Sequence, residues 1–500
     1  MRKYMKEKQM KISYIIYIAA FLLISLVPLV TFSDRQAAIG NETKADKPKL
    51  SDGLMFTQNA DDYFAQNFGL RNRLVYVGNA IKQTVFKTSG QAEVIIGEDG
   101  WLFYESALAD YIGTNDMTQL ELEKAAVILK MMQSYVEYKG GQFVFFSAPN
   151  KMSVYGEYMP YYYLESGSPG NFEGLYTELA GLVVNTVQLK NELALEKLGG
   201  IQLYHKLDSH WNNYGAAVAY EAVAKALTEA YGEEYAGYTR YSELPYSIVN
   251  NFTGDLQSML LPGSAVRDEQ VEFDVKENFE YTGRFRGVDD LLITTQNMDA
   301  AVDKSVTLFR DSFGNALYWF FANDYAAMSA RREVPYNLYR AADESELVAV
   351  ELVERNLKNL LQYTPVIPSW NLGEGFLKEK GISLLDSRTE EEEICEAVVA
   401  VTTTADGLIQ ISGSCKAADG AANMYLAGLT VSGNGTGDSG DEQWLVYRLI
   451  PCEGEEDFEL YLEPGNDALP LTLSERGQVF LIVEKQGVYE KITINVTLQD

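Results

Sequence analysis

Apolar and polar positions follow different periods along the chain and divide it into four predicted parts. A charge-free apolar stretch at residues 12–33 comes first, and a polar segment at 34–50 follows it. From 51 to 375, patterns typical of helices alternate with patterns typical of strands. After residue 381 the pattern consists of short β-rich pieces. We therefore predict an N-terminal helix, a linker, an α/β domain and a separate β domain.

The middle of the chain carries the clearest secondary-structure signals. Thr118 and Glu121 have the spacing of a capping box at the start of a helical pattern. Residues 143–146 and 305–309 form short apolar runs that predict buried strands. Strands that alternate with helices are typical of an α/β layer fold with a mainly parallel sheet. Further helices are predicted at 172–198, 213–231, 315–331 and 345–362.

The last part, residues 381–500, begins with the acidic run at 390–393 and continues as short strand-like segments. Turn signals such as Asp406-Gly407 and Gln486-Gly487 separate these segments at a spacing that is typical of sandwiches. We predict a β-sandwich domain. Two interpretations of it are equally open, namely a carbohydrate-binding module and a structural appendage.

Basic residues are concentrated before the N-terminal apolar stretch. Five of them precede it, and as a helix the stretch is long enough to cross a bilayer core of about 30 Å. A basic flank of this kind indicates a cytoplasmic N-terminus. Residues 1–33 therefore predict a single-pass cell-membrane anchor with the globular part outside the cytoplasm. A cleaved signal peptide is the alternative, and both interpretations export the rest of the chain. The basic residues are Arg2, Lys3, Lys6, Lys8 and Lys11.

Charge and rare residues exclude several classes of function. The chain of 500 residues has a formal net charge of -30, which argues against nucleic-acid binding because phosphate contacts need clustered cations. Its three cysteines, Cys395, Cys415 and Cys452, leave the middle of the chain without a thiolate metal site and allow at most one disulfide with one free thiol. With two histidines in all, a histidine-rich zinc site is also excluded. We predict neither a metal nor a cofactor.

Two short segments hold the candidate chemistry. In "LDSHWN", Asp208 stands two residues before His210, where a carboxylate can fix the tautomer of an imidazole that acts as a base. In "FRDSFGNAL", Ser312 follows a strand pattern and precedes a helical one, so helix N-terminal amides point towards it. Taken separately, a lone histidine in a loop is more often structural than catalytic, and a serine before a helix is more often its N-cap. Each segment alone therefore favours a structural role for His210 or Ser312.

Together these segments resemble a known family. "DSHWNNYGA" is similar to the D-x-H-W-N-x-x-G signature of the DHHW and AlgJ/AlgX-type alginate O-acetylation proteins, and "FRDSFGNAL" is similar to their G-D-S-F segment. "IIGEDGWLFY", "APNKMSVYGEYMP", "FTGDL" and "ELVERNL" are similar to further blocks. The resemblance covers residues 45–365 and implies a permuted, flavodoxin-like SGNH hydrolase-like domain.

The resemblance also implies roles for individual residues. Ser312 would be the nucleophile, His210 the general base and Asp208 its orienting acid, with the backbone amides of Ser312 and Phe313 as oxyanion donors. Arg310 departs from the family pattern, because it stands where the family usually has a glycine. Its side chain would either bind an anionic sugar or the leaving oxygen, or crowd the pocket and signal lost activity.

Two more cations fall in blocks that resemble the family. Lys151 and Arg355 are possible ligands for a carboxylate or carbonyl oxygen, with a structural role as the alternative for each. The implied function is serine-dependent O-acetyl transfer on a cell-surface or exported polysaccharide, with a multispanning membrane O-acyltransferase as the possible acetyl donor. The alternatives are a carbohydrate esterase with the same triad and a catalytically silent polysaccharide-binding protein.

Overall fold

The computed structural model describes residues 2–33, 39, 42, 44–167, 169–382, 394–432, 441–464, 479–485 and 487–498. Its helices are α1 (Arg2–Val30), α2 (Phe56–Asn67), α3 (Arg71–Ile81), α4 (Leu108–Tyr111), α5 (Gln119–Tyr138), α6 (Lys151–Val154), α7 (Asn171–Leu182), α8 (Leu189–Lys197), α9 (Asn213–Tyr231), α10 (Asp255–Leu260), α11 (Gly314–Asp324), α12 (Leu338–Glu344), α13 (Asn359–Gln362) and α14 (Gly373–Glu379). Short 3-10 and π turns lie between them.

The strands fall into a small N-terminal pair, a central sheet, a second small pair and a C-terminal group. They are β1 (Val94–Ile96), β2 (Leu102–Tyr104), β3 (Gln142–Ala148), β4 (Thr186–Val187), β5 (Tyr246–Phe252), β6 (Asp268–Phe273), β7 (Glu280–Tyr281), β8 (Leu292–Gln296), β9 (Val302–Phe309), β10 (Tyr325–Arg331), β11 (Leu347–Val353), β12 (Cys395–Thr403), β13 (Ile409–Cys415), β14 (Asn423–Ser432), β15 (Asp441–Pro451), β16 (Asp457–Leu462), β17 (Val479–Lys485) and β18 (Val488–Leu498).

The central sheet has seven strands in the order β4-β3-β11-β9-β10-β8-β7. Its first five strands are parallel, and β8 and β7 continue it with antiparallel pairing. The predicted α/β fold with a mainly parallel sheet is therefore confirmed. Because β3, β11 and β9 are neighbours and parallel, their carboxyl ends open at one edge of the sheet, where α/β proteins bind their ligands.

Helices cover both faces of this sheet, and side chains alternate between the two cores. On β3, Val144 and Phe146 pack into the core that includes α9 and α11, whereas Phe143 and Phe145 pack into the core with α5 and α7. Residues of β11 alternate in the same way. A strand that is buried on both faces is apolar at nearly every position. Its sequence therefore lacks the alternation of apolar and polar residues that marks a half-exposed strand.

Several predicted elements are confirmed by the structure. Thr118 caps α5: its side chain accepts a hydrogen bond from the amide of Glu121, whose carboxylate accepts one from the amide of Thr118. The predicted helix at 213–231 is α9, and the predicted strands at 143–146 and 305–309 lie within β3 and β9.

Three predicted helices are wrong in whole or in part. Residues 345–362 contain the central strand β11. The prediction failed because the buried run "LVAVELV" has no polar face that would show a period of two residues. The predicted helix at 315–331 ends at Asp324 and continues as β10. The predicted helix at 172–198 is divided into α7 and α8 by the short strand β4.

The N-terminal apolar stretch lies in α1. Among the helices that the structure describes, none combines the length and the hydropathy needed to cross a membrane. The transmembrane helix predicted within residues 1–33 is therefore not supported. Most of the predicted linker's first half lies outside the described residues, as does the acidic run at 390–393.

The C-terminal part is a closed barrel and not the predicted sandwich. Its strands follow the order β12-β13-β16-β15-β14-β17-β18, and β12 pairs in parallel with β18 to complete the ring. Strand lengths and turns do not reveal whether the outer strands of a sheet meet, so the sequence could not distinguish the two architectures. The barrel packs on α5, where the Lys124 Nζ donates to the carbonyls of Cys452 (3.1 Å) and Gly454 (2.8 Å).

Candidate active site

The predicted site residues lie at the carboxyl edge of the central sheet. Lys151 follows β3, Ser312 follows β9 and Arg355 follows β11, so three neighbouring parallel strands deliver them to one region. Asp208 and His210 come from the loop between α8 and α9. The fold therefore joins a loop and a strand end that are about a hundred residues apart in the chain.

Ser312, His210 and Asp208 form a continuous hydrogen-bonded line. The Nε2 of His210 lies 2.8 Å from the Oγ of Ser312, and its Nδ1 lies 2.7 Å from the Oδ1 of Asp208. Asp208 is buried, whereas the His210 side chain is 24% exposed. This arrangement has the geometry of a Ser-His-Asp triad, in which the imidazole takes the hydroxyl proton and the carboxylate orients the imidazole.

Backbone amides fix the Asp208 carboxylate. Its Oδ1 also accepts a hydrogen bond from the amide of His210 (2.9 Å), and its Oδ2 accepts one from the amide of Asp255 (2.7 Å). Gly254 brings α10 close enough for the second bond: a Cβ at this position would lie 2.2 Å from the carbonyl oxygen of Leu207. A side chain at position 254 would therefore push Asp255 away from Asp208.

The two ends of the Asp208–His210 pair have opposite pKa shifts. Burial alone would lower the pKa of His210, but attraction to Asp208 and the hydrogen bond between them outweigh burial and raise it. Burial alone would raise the pKa of Asp208, but His210 and the amide of Asp255 lower it well below its usual range. The carboxylate is therefore ionised at neutral pH and stabilises the imidazolium that forms when His210 accepts a proton.

The raised pKa of His210 gives an expectation for the pH dependence of activity. A general base works only in its neutral form, so kcat/KM should rise with pH through the pKa of His210. Since that pKa is raised, the midpoint of the rise should lie above about 6.5, the usual value for histidine. The measurement is kcat/KM for an acetyl ester between pH 5 and 9. A midpoint below 6.5 would contradict the pairing of His210 with ionised Asp208.

Asp255 and Ser209 were not singled out from the sequence, yet both border the base. The Oγ of Ser209 donates to the Oδ2 of Asp255 (2.6 Å) and lies 3.2 Å from the Nδ1 of His210. Burial and the nearby Asp208 raise the pKa of Asp255 to about 6. Asp255 stands in the "FTGDL" block, so its resemblance to a family block was the available signal. The Oδ2 of this second carboxyl lies 3.9 Å from the Nδ1 of His210.

The loop at Ser312 differs in one respect from the prediction. The amide of Phe313, predicted as an oxyanion donor, donates to the Oδ1 of Asp311 at 2.9 Å. An aspartate that accepts from the amide two residues later is a common turn motif, and it takes this donor away from the pocket. Within the described ranges, the amide of Ser312 has no acceptor. The Ser312 amide therefore remains the available backbone donor of the predicted pair.

Ser312 is not the side-chain cap of α11, which was the structural alternative. The residue before the helix is Phe313, and no side chain caps it. The Ser312 Oγ is directed instead to His210. The indole Nε1 of Trp211 donates to the carbonyl of Phe313 at 3.0 Å, so the tryptophan beside the base holds the loop that carries the serine.

A buried carboxyl supports this loop from within the sheet. Glu351 of β11 is fully buried, and its Oε2 accepts a hydrogen bond from the amide of Asp311 at 3.0 Å. Burial and the adjacent Asp311 raise the pKa of Glu351 well above its usual value. The environment therefore favours the neutral carboxylic acid over the carboxylate. The carboxylate of Asp311 also accepts hydrogen bonds from the amide of Val353 and the side chain of Asn356.

Lys151 is committed to the structure around the triad loop. Its Nζ donates to three backbone carbonyls, those of Leu102 (2.6 Å), Lys206 (2.9 Å) and Asp208 (2.9 Å). Burial lowers the pKa of this ammonium to about 7. Because three acceptors match its three donors, the structure assigns Lys151 to holding the Asp208 loop and leaves it no free donor for substrate.

Arg310 is likewise buried and bonded, which argues against both predicted roles. Its NH2 donates to the carbonyls of Val288 and Asp290, each at 3.0 Å, and its NH1 donates to the Oδ1 of Asn315. Only 2% of the residue is exposed. The guanidinium therefore ties the 288–290 segment to α11. It has no surface for a sugar to contact, and the triad beside it is assembled.

The structural role of Arg310 leads to a stability expectation. Arg310→Met should lower the free energy of unfolding by about 3 kcal/mol, because three hydrogen bonds from a buried guanidinium to partly buried acceptors are lost. Urea unfolding measures the loss. Arg332→Met is the matched control, since Arg332 pairs with the exposed Asp289 of the same segment and should change stability by less than about 1 kcal/mol. Equal losses for the two variants would contradict the assignment.

Arg355 is the predicted cation that borders the triad. Its guanidinium lies 5.4 Å from the ring centre of Phe313 and 5.5 Å from that of Tyr104, and its NH1 donates to the Oδ1 of Asn150 at 3.3 Å. Its charge acts to lower the pKa of His210. In the part of the chain that the structure describes, no carboxylate lies within 4 Å of it. Arg355 therefore retains donors for an oxygen of the substrate.

One group of side chains has the proximity of a metal site. The ligand atoms of Asp208, His210 and Asp255 all lie within 4.8 Å of one another. Each of these atoms already has a hydrogen-bond partner from the triad or its support: Nδ1 bonds Asp208, and the carboxylates bond the amides and hydroxyl described above. The donor set fits a proton-transfer site better than a metal centre.

Comparison with known proteins agrees with the sequence motifs. Residues 94–332 match the family model described as "SGNH hydrolase-like domain, acetyltransferase AlgX". The chain is similar to the probable alginate O-acetylase AlgJ of Pseudomonas fluorescens, with 23% identity over 215 residues, which is 43% of this chain and 52% of that protein. It is also similar to the probable alginate O-acetylase AlgJ of Pseudomonas putida, with 24% identity over 169 residues, which is 34% of this chain and 42% of that protein. The chain thus spans about half the length of these relatives or less.

Part of this chain is also similar to several solved structures. The O-acetyltransferase domain of Pseudomonas putida AlgJ is 20% identical, covers 53% of this chain and 92% of that chain, and has a TM-score of 0.35. Bacillus cereus PatB1 is 16% identical, with coverage of 53% and 96% and a TM-score of 0.42. A DHHW family protein from Eubacterium siraeum is 15% identical, with coverage of 47% and 85% and a TM-score of 0.35.

The predicted resemblance is therefore confirmed, since residues 94–332 match the model of an SGNH hydrolase-like family. Asp208, His210 and Ser312 all lie within this matched range, and Arg355 lies beyond it.

Proposed function

We propose, from the SGNH hydrolase-like domain and the geometry of its triad, that this protein is an acetyltransferase that modifies hydroxyl groups of an exported or cell-surface polysaccharide. The observation that carries the proposal is the 2.8 Å contact between the Ser312 Oγ and the His210 Nε2, with Asp208 at 2.7 Å on the other side of the ring. The similarity to probable alginate O-acetylases supports a polysaccharide as the class of acceptor.

The mechanism follows from the positions of these groups. His210 removes the proton of Ser312 as its Oγ attacks the carbonyl carbon of an acetyl ester, and the leaving alcohol takes that proton from His210. The resulting acetyl-serine is then attacked by a sugar hydroxyl, whose proton passes to His210, and the serine hydroxyl is restored. The Ser312 amide and the Arg355 guanidinium are the donors available to the oxyanion of each tetrahedral intermediate.

The acetyl donor and the place of action belong to the same proposal. A sugar that is modified outside the cytoplasm has no supply of acetyl-CoA, so an acetyl group must cross the membrane on another protein. We propose a multispanning membrane O-acyltransferase for this step. The overall charge of -30 repels polyanions, so an acidic polysaccharide would need the local positive charge of Arg355 to approach the triad.

A transfer assay tests the function. The purified protein would be incubated with p-nitrophenyl acetate as donor and with neutral or uronic-acid oligosaccharides as acceptors, and the products would be analysed by mass spectrometry. The expected product is an acetylated oligosaccharide that Ser312→Ala does not form. Free acetate alone would favour the esterase alternative, and an inactive wild-type protein would favour the silent binding protein.

A further inference from the structure

Two thiols face each other at the open end of a barrel hairpin. Cys395 begins β12 and Cys415 ends β13, and these strands pair antiparallel with Ala397 opposite Cys415. The two Sγ atoms are 3.4 Å apart. A disulfide needs about 2.05 Å between the sulfurs, so a small movement of the side chains would close the bond.

The two cysteines differ in access. Cys395 is half-buried and lines a surface cleft of about 700 Å³ together with Lys416 and Lys491, whereas Cys415 is 2% exposed. An oxidant in the cleft therefore reaches Cys395 first. Cys415 lies directly behind it, where a resolving thiol is needed.

The third cysteine has other neighbours. Cys452 follows β15, and its Sγ lies 3.7 Å from the Oγ1 of Thr364 and 3.9 Å from the carbonyl of Ile450. Burial raises the pKa of the Cys452 thiol and that of the Cys415 thiol alike to about 12, so position and not acidity separates the two. Of the pairings that three cysteines allow, the geometry favours Cys395 with Cys415.

We propose that Cys395 and Cys415 form a disulfide that links β12 to β13 under oxidising conditions. The thiolate of Cys395 attacks one sulfur of a small disulfide such as glutathione disulfide, and the first glutathione thiolate leaves. The sulfur of Cys415, after losing its proton to solvent, then attacks the Sγ of Cys395 and displaces the second glutathione. The two cysteines lose two electrons and two protons, and the oxidant becomes two thiols.

The bond would join β12 to β13 beside the seam, which is the parallel pairing of β12 with β18. Cys395 pairs with Ile494 of β18, the strand that completes the ring, so a disulfide at Cys395 anchors the first residue of this parallel seam to β13. A cross-link between residues 395 and 415 also restricts the unfolded chain. The disulfide should therefore stabilise the closed barrel against opening at β12.

Thiol counting tests the pairing directly. The full chain would be treated with glutathione disulfide, denatured and titrated for free thiols, with a sample reduced by dithiothreitol as reference. One free thiol is expected after oxidation and three after reduction. Non-reducing peptide mapping should show the peptides of Cys395 and Cys415 joined in a monomeric chain. Three free thiols after oxidation, or a cross-link that includes Cys452, would overturn the proposal.

Thermal unfolding tests the stabilising effect. The oxidised protein should have a barrel unfolding midpoint on the order of 10 °C above that of the reduced protein. Cys395→Ser replaces the half-exposed thiol and should abolish this difference, whereas Cys452→Ser should preserve it. If the oxidised and reduced proteins unfold at the same temperature, the disulfide has no stabilising role. None of these measurements depends on acetyl transfer, so their outcome is separate from that of the proposed function.

Discussion

Replacing Ser312 with alanine is expected to lower kcat for p-nitrophenyl acetate by up to about a millionfold, which is the loss seen when a triad nucleophile is removed from a serine hydrolase. The reason is that His210 then has no hydroxyl to deprotonate, and no acetyl-serine forms. The Ser312 Oγ contacts His210 and does not cap α11, so the substitution should leave the fold intact. Release of p-nitrophenol measures the rate, and circular dichroism checks the fold.

Ser209→Ala is the matched control for this substitution. Ser209 lies one residue before the base, and its Oγ contacts both His210 and Asp255, but it is directed away from Ser312 on the other side of the imidazole. We expect its kcat to stay within about tenfold of the wild-type value. Equal rates for the wild type and Ser312→Ala would rule out Ser312 as the nucleophile, whatever the result for Ser209→Ala.

Asp208→Asn is expected to lower kcat by about 10⁴-fold, the loss that the same change causes in a Ser-His-Asp protease. The asparagine amide keeps the size of the side chain but favours the wrong tautomer of His210, since an NH2 group facing Nδ1 donates instead of accepting. The imidazole would then present a proton to Ser312 where a free electron pair is needed.

The same variant should also shift the pH profile. Attraction to Asp208 raises the pKa of His210, so its loss should move the remaining kcat/KM rise to lower pH. A purely structural role of Asp208 would lower activity without this shift. Asp255→Asn is the control for the loss of activity, because the asparagine keeps an oxygen acceptor for Ser209 and the backbone amide that holds Asp208 is unchanged. A larger loss for Asp255→Asn than for Asp208→Asn would contradict the assigned roles.

Local signals in the sequence accounted for part of the fold. The Thr118 capping box and the helical period of α9 are set by neighbouring residues, so both were visible without a structure. β11 was not visible, because a strand buried on both faces lacks the alternation of apolar and polar residues that distinguishes a strand from a buried helix segment. The barrel was not visible either, since its closure depends on β12 meeting β18 about a hundred residues away.

The candidate site was predicted to a similar extent. The order of Asp208, His210 and Ser312 was recognisable by resemblance, and the structure brings these three residues together. The engagement of the Phe313 amide by Asp311 and the burial of Arg310 and Lys151 depend on which way each side chain points after the sheet assembles. Charge and spacing do not encode that direction, so long cations near a site cannot be assigned to substrate from sequence alone.

The most direct test of the account is to locate the acetyl group during turnover. The protein would be mixed with p-nitrophenyl acetate, quenched in acid within milliseconds to seconds, digested and analysed by mass spectrometry. We expect one acetyl group on Ser312, disappearing faster when an oligosaccharide acceptor is present. Turnover with the acetyl group on a different residue, or with Ser312 never acetylated at any time point, would contradict the claim that Ser312 carries the group from donor to sugar.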